Sequence, residues 1–235
     1  MELLSRASLR HANQRLVIVG ALSVATSICV AFEWFREWHY GTAGFRFLLW
    51  NLFLAWIPVV LALIIFAHYL RGRTPGRMLI PGLIWLLFLP NAPYIFTDFI
   101  HLSPTTGVPL WFDGTVLSAF AWTGALLCLV SVYLVHSAIR NWYGSIQGWM
   151  TVLVVLIFTS VGVFLGRFMR LNSWDIVVHP GRIARQFVST LNEPVTVIRG
   201  GTATVVVAAM LAVTYVTFYA VISLKPASDH PSESD

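Results

Sequence analysis

Apolar residues run along this chain in long blocks rather than in the narrow stripes of a soluble amphipathic helix. The blocks lie at about 16–32, 47–70, 78–97, 114–135, 149–166 and 201–224. Each approaches or exceeds the ~20 residues that a helix needs to cross hydrocarbon. Lipid offers the backbone no hydrogen-bond partner, so such blocks must be helices rather than open strands. The expected fold is all-α, a polytopic transmembrane bundle of about six spans. The first and fifth blocks are short and leave little room for tilt. No internal repeat is visible, so the inverted-repeat architecture of many transporters has no support in the sequence.

The stretches between blocks complete the organisation. Residues 167–200 are too polar to span. Within them Ile183, Phe187 and Leu191 recur at four-residue spacing opposite Arg182 and Arg185. That pattern predicts a short interfacial amphipathic helix between spans five and six. The expected division is an N-terminal segment over 1–15, a six-span domain over 16–224 and a disordered polar tail over 225–235, rich in Ser, Pro and acids. The first block is long for the apolar core of a signal peptide and lacks an A-x-A exit, so it is expected to stay as an anchor.

Composition agrees with the pattern. The chain is 57% hydrophobic and 11% charged, with mean hydropathy +0.76. Soluble domains carry about 25% charged residues. The aromatic strings EWFREWHY (33–40) and RNWYG (140–144) read as interfacial belts. The histidines at span ends, His39, His68 and His136, read the same way. A net charge of +5 would suggest nucleic acid in a soluble protein. Here the basic residues lie between apolar blocks, so membrane lipids are the expected partners and nucleic acid is not. Early loops set orientation most strongly. Arg6, Arg10, Arg15, Arg71, Arg73 and Arg77 fall on one side, against Arg36 and Arg46 on the other. Both termini are therefore expected in the cytoplasm, with the protein in the cell (cytoplasmic) membrane. Arg167, Arg170, Arg182, Arg185 and Arg199 break this rule unless some of them are paired with acids. Cys29 and Cys128 fall inside apolar blocks and read as buried thiols.

The third block ends in LPNAPYIFTDFIHL, residues 89–102. Pro90 and Pro93 each remove a backbone donor and clash with the preceding turn. Residues ahead of the prolines are pushed toward extended geometry, which predicts a break over 89–93. The break frees carbonyls beside the Asn91 amide. Asp98 and His101, three apart, share a face if the segment beyond is helical. WFDG brings Asp113 to the mouth of span four, and GRFMRLNSWD (166–175) adds Arg167, Arg170, Asn172, Trp174 and Asp175. Asn51 and His179 fall on the same side. Ionisable side chains thus gather at one end of the bundle, while the span centres and the inner halves of the spans stay apolar apart from His68 and His136 at their ends.

These three polar strings, in this order and spacing, resemble domain of unknown function family 1361, a set of predicted bacterial multi-pass membrane proteins. The likeness runs from about span two to span six. It implies a membrane fold and supplies no activity.

Three functional classes follow from the residues. The first is a site for an anionic small molecule or lipid headgroup, held by Asn91, Asp113, Arg167, Arg170, Asn172, Trp174 and Asp175, with Asp98 or His101 as candidate catalytic bases. The second is a non-catalytic scaffold in which the same side chains form a salt-bridge network. The third is a small-molecule transporter, disfavoured by span centres free of acids and bases. Arginines beside the carboxylates oppose a cation, so no metal ligand is assigned. No cofactor and no oligomeric state can be read.

Overall fold

In the computed structural model, residues 2–104, 107–169 and 194–224 are described, with residues 178, 181 and 185 between them. The described chain is helical throughout, with no strand among the described residues. The helices are α1 (Glu2–Tyr40), α2 (Arg46–Leu70), α3 (Leu79–Phe88), α4 (Asn91–Tyr94), α5 (Leu110–Tyr143), α6 (Ser145–Met169) and α7 (Pro194–Ser223). A 3-10 turn over Pro75–Met78 precedes α3, and a 3-10 segment over Ile95–His101 follows α4. Six stretches are long and apolar enough to cross a membrane: Asn13–Tyr40, Arg46–Leu70, Pro75–His101, Leu110–Tyr143, Ser145–Met169 and Thr204–Ser223.

The helices overrun the apolar blocks because helix formation does not stop where hydropathy falls. α1 continues through the aromatic belt to Tyr40 and ends at Gly41, whose φ of 67° suits a residue without Cβ. Its N–H caps the Glu37 carbonyl at 2.9 Å. Of the expected interfacial helix, only Gly181 and Arg185 are described, both helical and exposed. The tail over 225–235 lies outside the described residues.

α5 is the central helix and packs against α1, α2, α6 and α7. Ring and hydrogen-bond contacts fix directions. Arg36 and Cys29 of α1 meet Asp113 and Thr123 of α5, so these two run antiparallel. Pro58 and His68 of α2 meet Ser131 and Trp142 of α5, so these run parallel. One end of the bundle therefore carries Asp98 and Asp113, and the other carries His68 and His136. Large apolar side chains such as Leu16, Ile80, Ile146 and Val205 point outward.

Lipid is as apolar as leucine, so helix association rests on close packing and buried hydrogen bonds rather than on the hydrophobic effect. Both appear. Ala55, Ala62 and Ala138 are fully buried. Ser131 receives the Trp85 indole N–H at 2.7 Å and donates to the Pro58 carbonyl at 3.0 Å, joining α3, α5 and α2. Trp56 donates to Thr26 Oγ1 at 3.0 Å, joining α2 to α1.

The proline break is real, and its local geometry corrects one expectation. α3 ends at Phe88, but the chain does not turn extended: Leu89 has φ −55° and ψ −38°, and Pro90 has φ −58° and ψ −24°. The chain proceeds instead as short helical pieces, because its neighbours leave room for nothing wider. A Cβ on Gly124 of α5 would lie 2.5 Å from the Ala92 carbonyl oxygen. A Cβ on Gly162 of α6 would lie 2.7 Å from Pro90 Cβ. Two glycines thus admit the broken span between α5 and α6. Burial against protein is the condition under which interrupted backbone is tolerated at membrane depth.

Candidate functional site

The break sets up the polar end. The Asn91 amide donates to the Phe88 carbonyl at 2.8 Å, while the Ala92 N–H turns to the Leu89 carbonyl at 3.2 Å. Beyond it the 3-10 segment carries Asp98 inward, where it is buried. Asp98 Oδ2 accepts from Asn51 Nδ2 at 2.9 Å. Its Oδ1 lies 3.5 Å from Arg167 Nη1. One carboxylate thus joins α2, the end of the third span and α6. His101 stays exposed, its ring edge-on to Phe47 at 4.9 Å between centroids, with the Arg167 charge within electrostatic reach.

Asp113 belongs to a second centre. Arg36 Nε and Nη2 reach its two oxygens at 2.7 and 3.2 Å, and both side chains are 0% exposed. Such a two-pronged contact is the strongest form of arginine–carboxylate pairing. The remaining Arg36 nitrogen donates to the Thr42 carbonyl and hydroxyl at 3.1 and 3.0 Å. The Phe45 ring covers the guanidinium, its centroid 4.1 Å from Cζ.

Glu33, one turn before Arg36, is 1% exposed, and neither carboxylate oxygen meets a hydrogen-bond partner in good geometry. The Arg36 guanidinium and the Phe45 backbone N–H lie within electrostatic reach. Nearby on the surface, Arg46 pairs with Glu37 across the α1–α2 turn.

Of the residues expected to gather, the structure brings Asn51 and Arg167 to Asp98 and sets His101 within electrostatic reach of Arg167, while the Asn91 amide bonds its own segment at Phe88. Asp113 sits instead with Arg36. Arg170, Asn172, Trp174, Asp175 and His179 lie outside the described residues. Glu33 and Arg36 are the residues that sequence reasoning missed, because the aromatic string around them reads as an exposed belt. A signal was available: Cys29, Glu33, Arg36 and Tyr40 fall at helical spacing on the face that carries a buried thiol. His68 and His136 are likewise buried against protein.

Two polar clasps at one end of an interrupted six-span bundle define a multi-pass helical membrane protein with an ionic core near one end. Over residues 50–221 the chain matches the profile of a protein family of unknown function, DUF1361, and it belongs to that family. The match includes Asn51, Asn91, Asp98, His101, Asp113 and Arg167, and leaves α1 outside. No curated protein and no solved structure matches the chain. Among the described residues no three His, Cys, Asp or Glu side chains gather as a metal-ligand set.

Proposed function

We propose that the protein is a non-catalytic membrane scaffold whose polar end is a structural ion-pair network. The observation that carries this reading is pairing. Three arginines at that end face carboxylates: Arg36 with Asp113, Arg46 with Glu37 and Arg167 with Asp98. A buried charge costs several kcal/mol unless it is paired and hydrogen-bonded. Arg36 and Asp113 meet both conditions. Scaffold variants Asp98→Asn and Asp113→Asn should accumulate poorly in cells and melt earlier after purification. Variants that accumulate and melt like the native protein, yet abolish a cellular phenotype, would favour an enzyme and end this reading.

A second reading keeps the polar end as a site for an anionic small molecule or lipid headgroup. Arg167 favours it. Its side chain is 18% exposed and touches Asp98 through one nitrogen at 3.5 Å, so most of its donors remain for another acceptor. A phosphate- or carboxylate-bearing ligand that raises the melting temperature of the native protein but not of Arg167→Gln supports this second site.

Both termini are assigned to the cytoplasm. Pairing Arg36 with Asp113 and Arg46 with Glu37 removes from the opposite side the two early arginines that counted against this orientation. Cysteines introduced at Ser5 and Ser228 should resist an impermeant reagent in intact cells.

A further inference from the structure

The end opposite Asp98 holds a cavity of ≈ 600 Å³ between α2, α5 and α7. Small-molecule sites commonly occupy about 300–1,000 Å³. One wall is polar: Tyr133, Ser137, Arg140, Asn141 and Tyr219. Phe66 and Leu70 of α2 and Ile222 of α7 add apolar lining. Among the described residues, no carboxylate lines the cavity. Arg140 forms no salt bridge with any described acid, and it donates to the Tyr219 hydroxyl.

The wall is braced from behind. His136 Nδ1 bonds the Tyr215 hydroxyl at 2.7 Å. The Trp149 ring stands edge-on to Tyr219 and to His136, each at 4.9 Å between centroids. Gly148 makes this approach possible, since a Cβ there would lie 3.0 Å from both His136 Nε2 and Arg140 Cβ. Tyr219 and Arg140 are therefore held in place before any ligand arrives.

From this arrangement we infer that the cavity binds a phosphate-bearing anion. Donors dominate it. Arg140 brings a full positive charge and a fork of N–H groups suited to phosphate oxygens. Tyr219, accepting from Arg140, has its own O–H left to donate onward. Ser137 and Asn141 add further donors on the same helix face. The carbonyl ends of α2, α5 and α7 lie at this end and oppose an anion, but they are partial charges partly screened by water. A formal charge at bonding distance outweighs them. The apolar lining gives the ligand a second character and suits the first carbons of an acyl chain. A phospholipid headgroup and free phosphate share the chemistry. The site is independent of the polar end at Asp98.

The test is native mass spectrometry of the full chain released from detergent, with inorganic phosphate and dihexanoyl phosphatidic acid as probes. The native protein is expected to retain a phosphate-bearing adduct. Retention of the lipid alone identifies a headgroup as the source, and equal retention of both identifies free phosphate. Arg140→Gln should weaken binding about tenfold or more, the effect of losing a charged hydrogen bond. Ser223→Trp, which fills the cavity while leaving Arg140 intact, should weaken it similarly. Arg73→Gln, an exposed cation away from the cavity wall, should leave it unchanged. Absence of any adduct, survival of binding in Ser223→Trp, or equal loss in Arg73→Gln overturns the assignment, since the last two mean diffuse surface attraction.

Discussion

Arg36 and Asp113, one near the end of α1 and the other in the first turn of α5, meet through two nitrogens and two oxygens at 2.7 and 3.2 Å with no solvent exposure. This clasp joins the helix outside the family match to the central helix of the bundle. Removing one partner from such a pair leaves an uncompensated buried charge and costs about 3–5 kcal/mol. Replacing both by apolar residues of similar volume removes that penalty. Arg36→Met alone should lower thermal stability strongly. Arg36→Met with Asp113→Leu should recover much of the loss, and a thermal melt of the two purified variants checks it.

The glycines beside the proline break predict a steric effect of opposite origin. Gly124→Ala brings a methyl to 2.5 Å from the Ala92 carbonyl oxygen, and backbone cannot yield cheaply. Overpacking of this kind costs about 1–3 kcal/mol. Gly20→Ala meets nothing within 4 Å and lies in a helix, where alanine is favoured over glycine. The first variant should melt below the native protein and the second at or slightly above it, measured in the same detergent.

Ser131 offers a prediction about a buried hydrogen bond. Its hydroxyl takes the Trp85 N–H at 2.7 Å and gives to Pro58 O at 3.0 Å. Ser131→Ala leaves the indole donor without its acceptor, at a cost of about 1–3 kcal/mol. Adding Trp85→Phe removes the orphaned donor. The double variant should therefore be less than additive in unfolding free energy.

Thiol chemistry reports the packing of α1 on α5. Cys29 and Cys128 are both buried, and Cys29 Sγ lies 3.3 Å from Thr123 Oγ1. Neither should react with a maleimide in the folded protein, and both should react after denaturation. Arg36→Met, by loosening the clasp, should speed labelling of Cys29 more than of Cys128.

Much of this was legible in the chain. Long apolar blocks dictate transmembrane helices because lipid leaves backbone groups no other partner. Pro90 and Pro93 dictate an interruption because neither has an N–H to give. Asp98 and Arg167 have complementary charges in strings that six antiparallel spans bring to one end, and the structure sets them 3.5 Å apart. The ends of the elements were less legible. A hydropathy block stops at the first charged residue, whereas α1 hydrogen-bonds onward past Glu33 and Arg36 to Tyr40.

Sequence by itself determined the number of crossings, the place of the break and the end at which charges collect, since each follows from local backbone and side-chain solvation. Only tertiary structure decided who pairs with whom. Asp113 took Arg36 rather than Arg167 because α1 packs against α5. The break stayed helical because Gly124 and Gly162 press on it. The cavity beside Arg140 exists because α2, α5 and α7 part there. Partner choice depends on distances between segments remote along the chain, and those distances exist only once helices have packed.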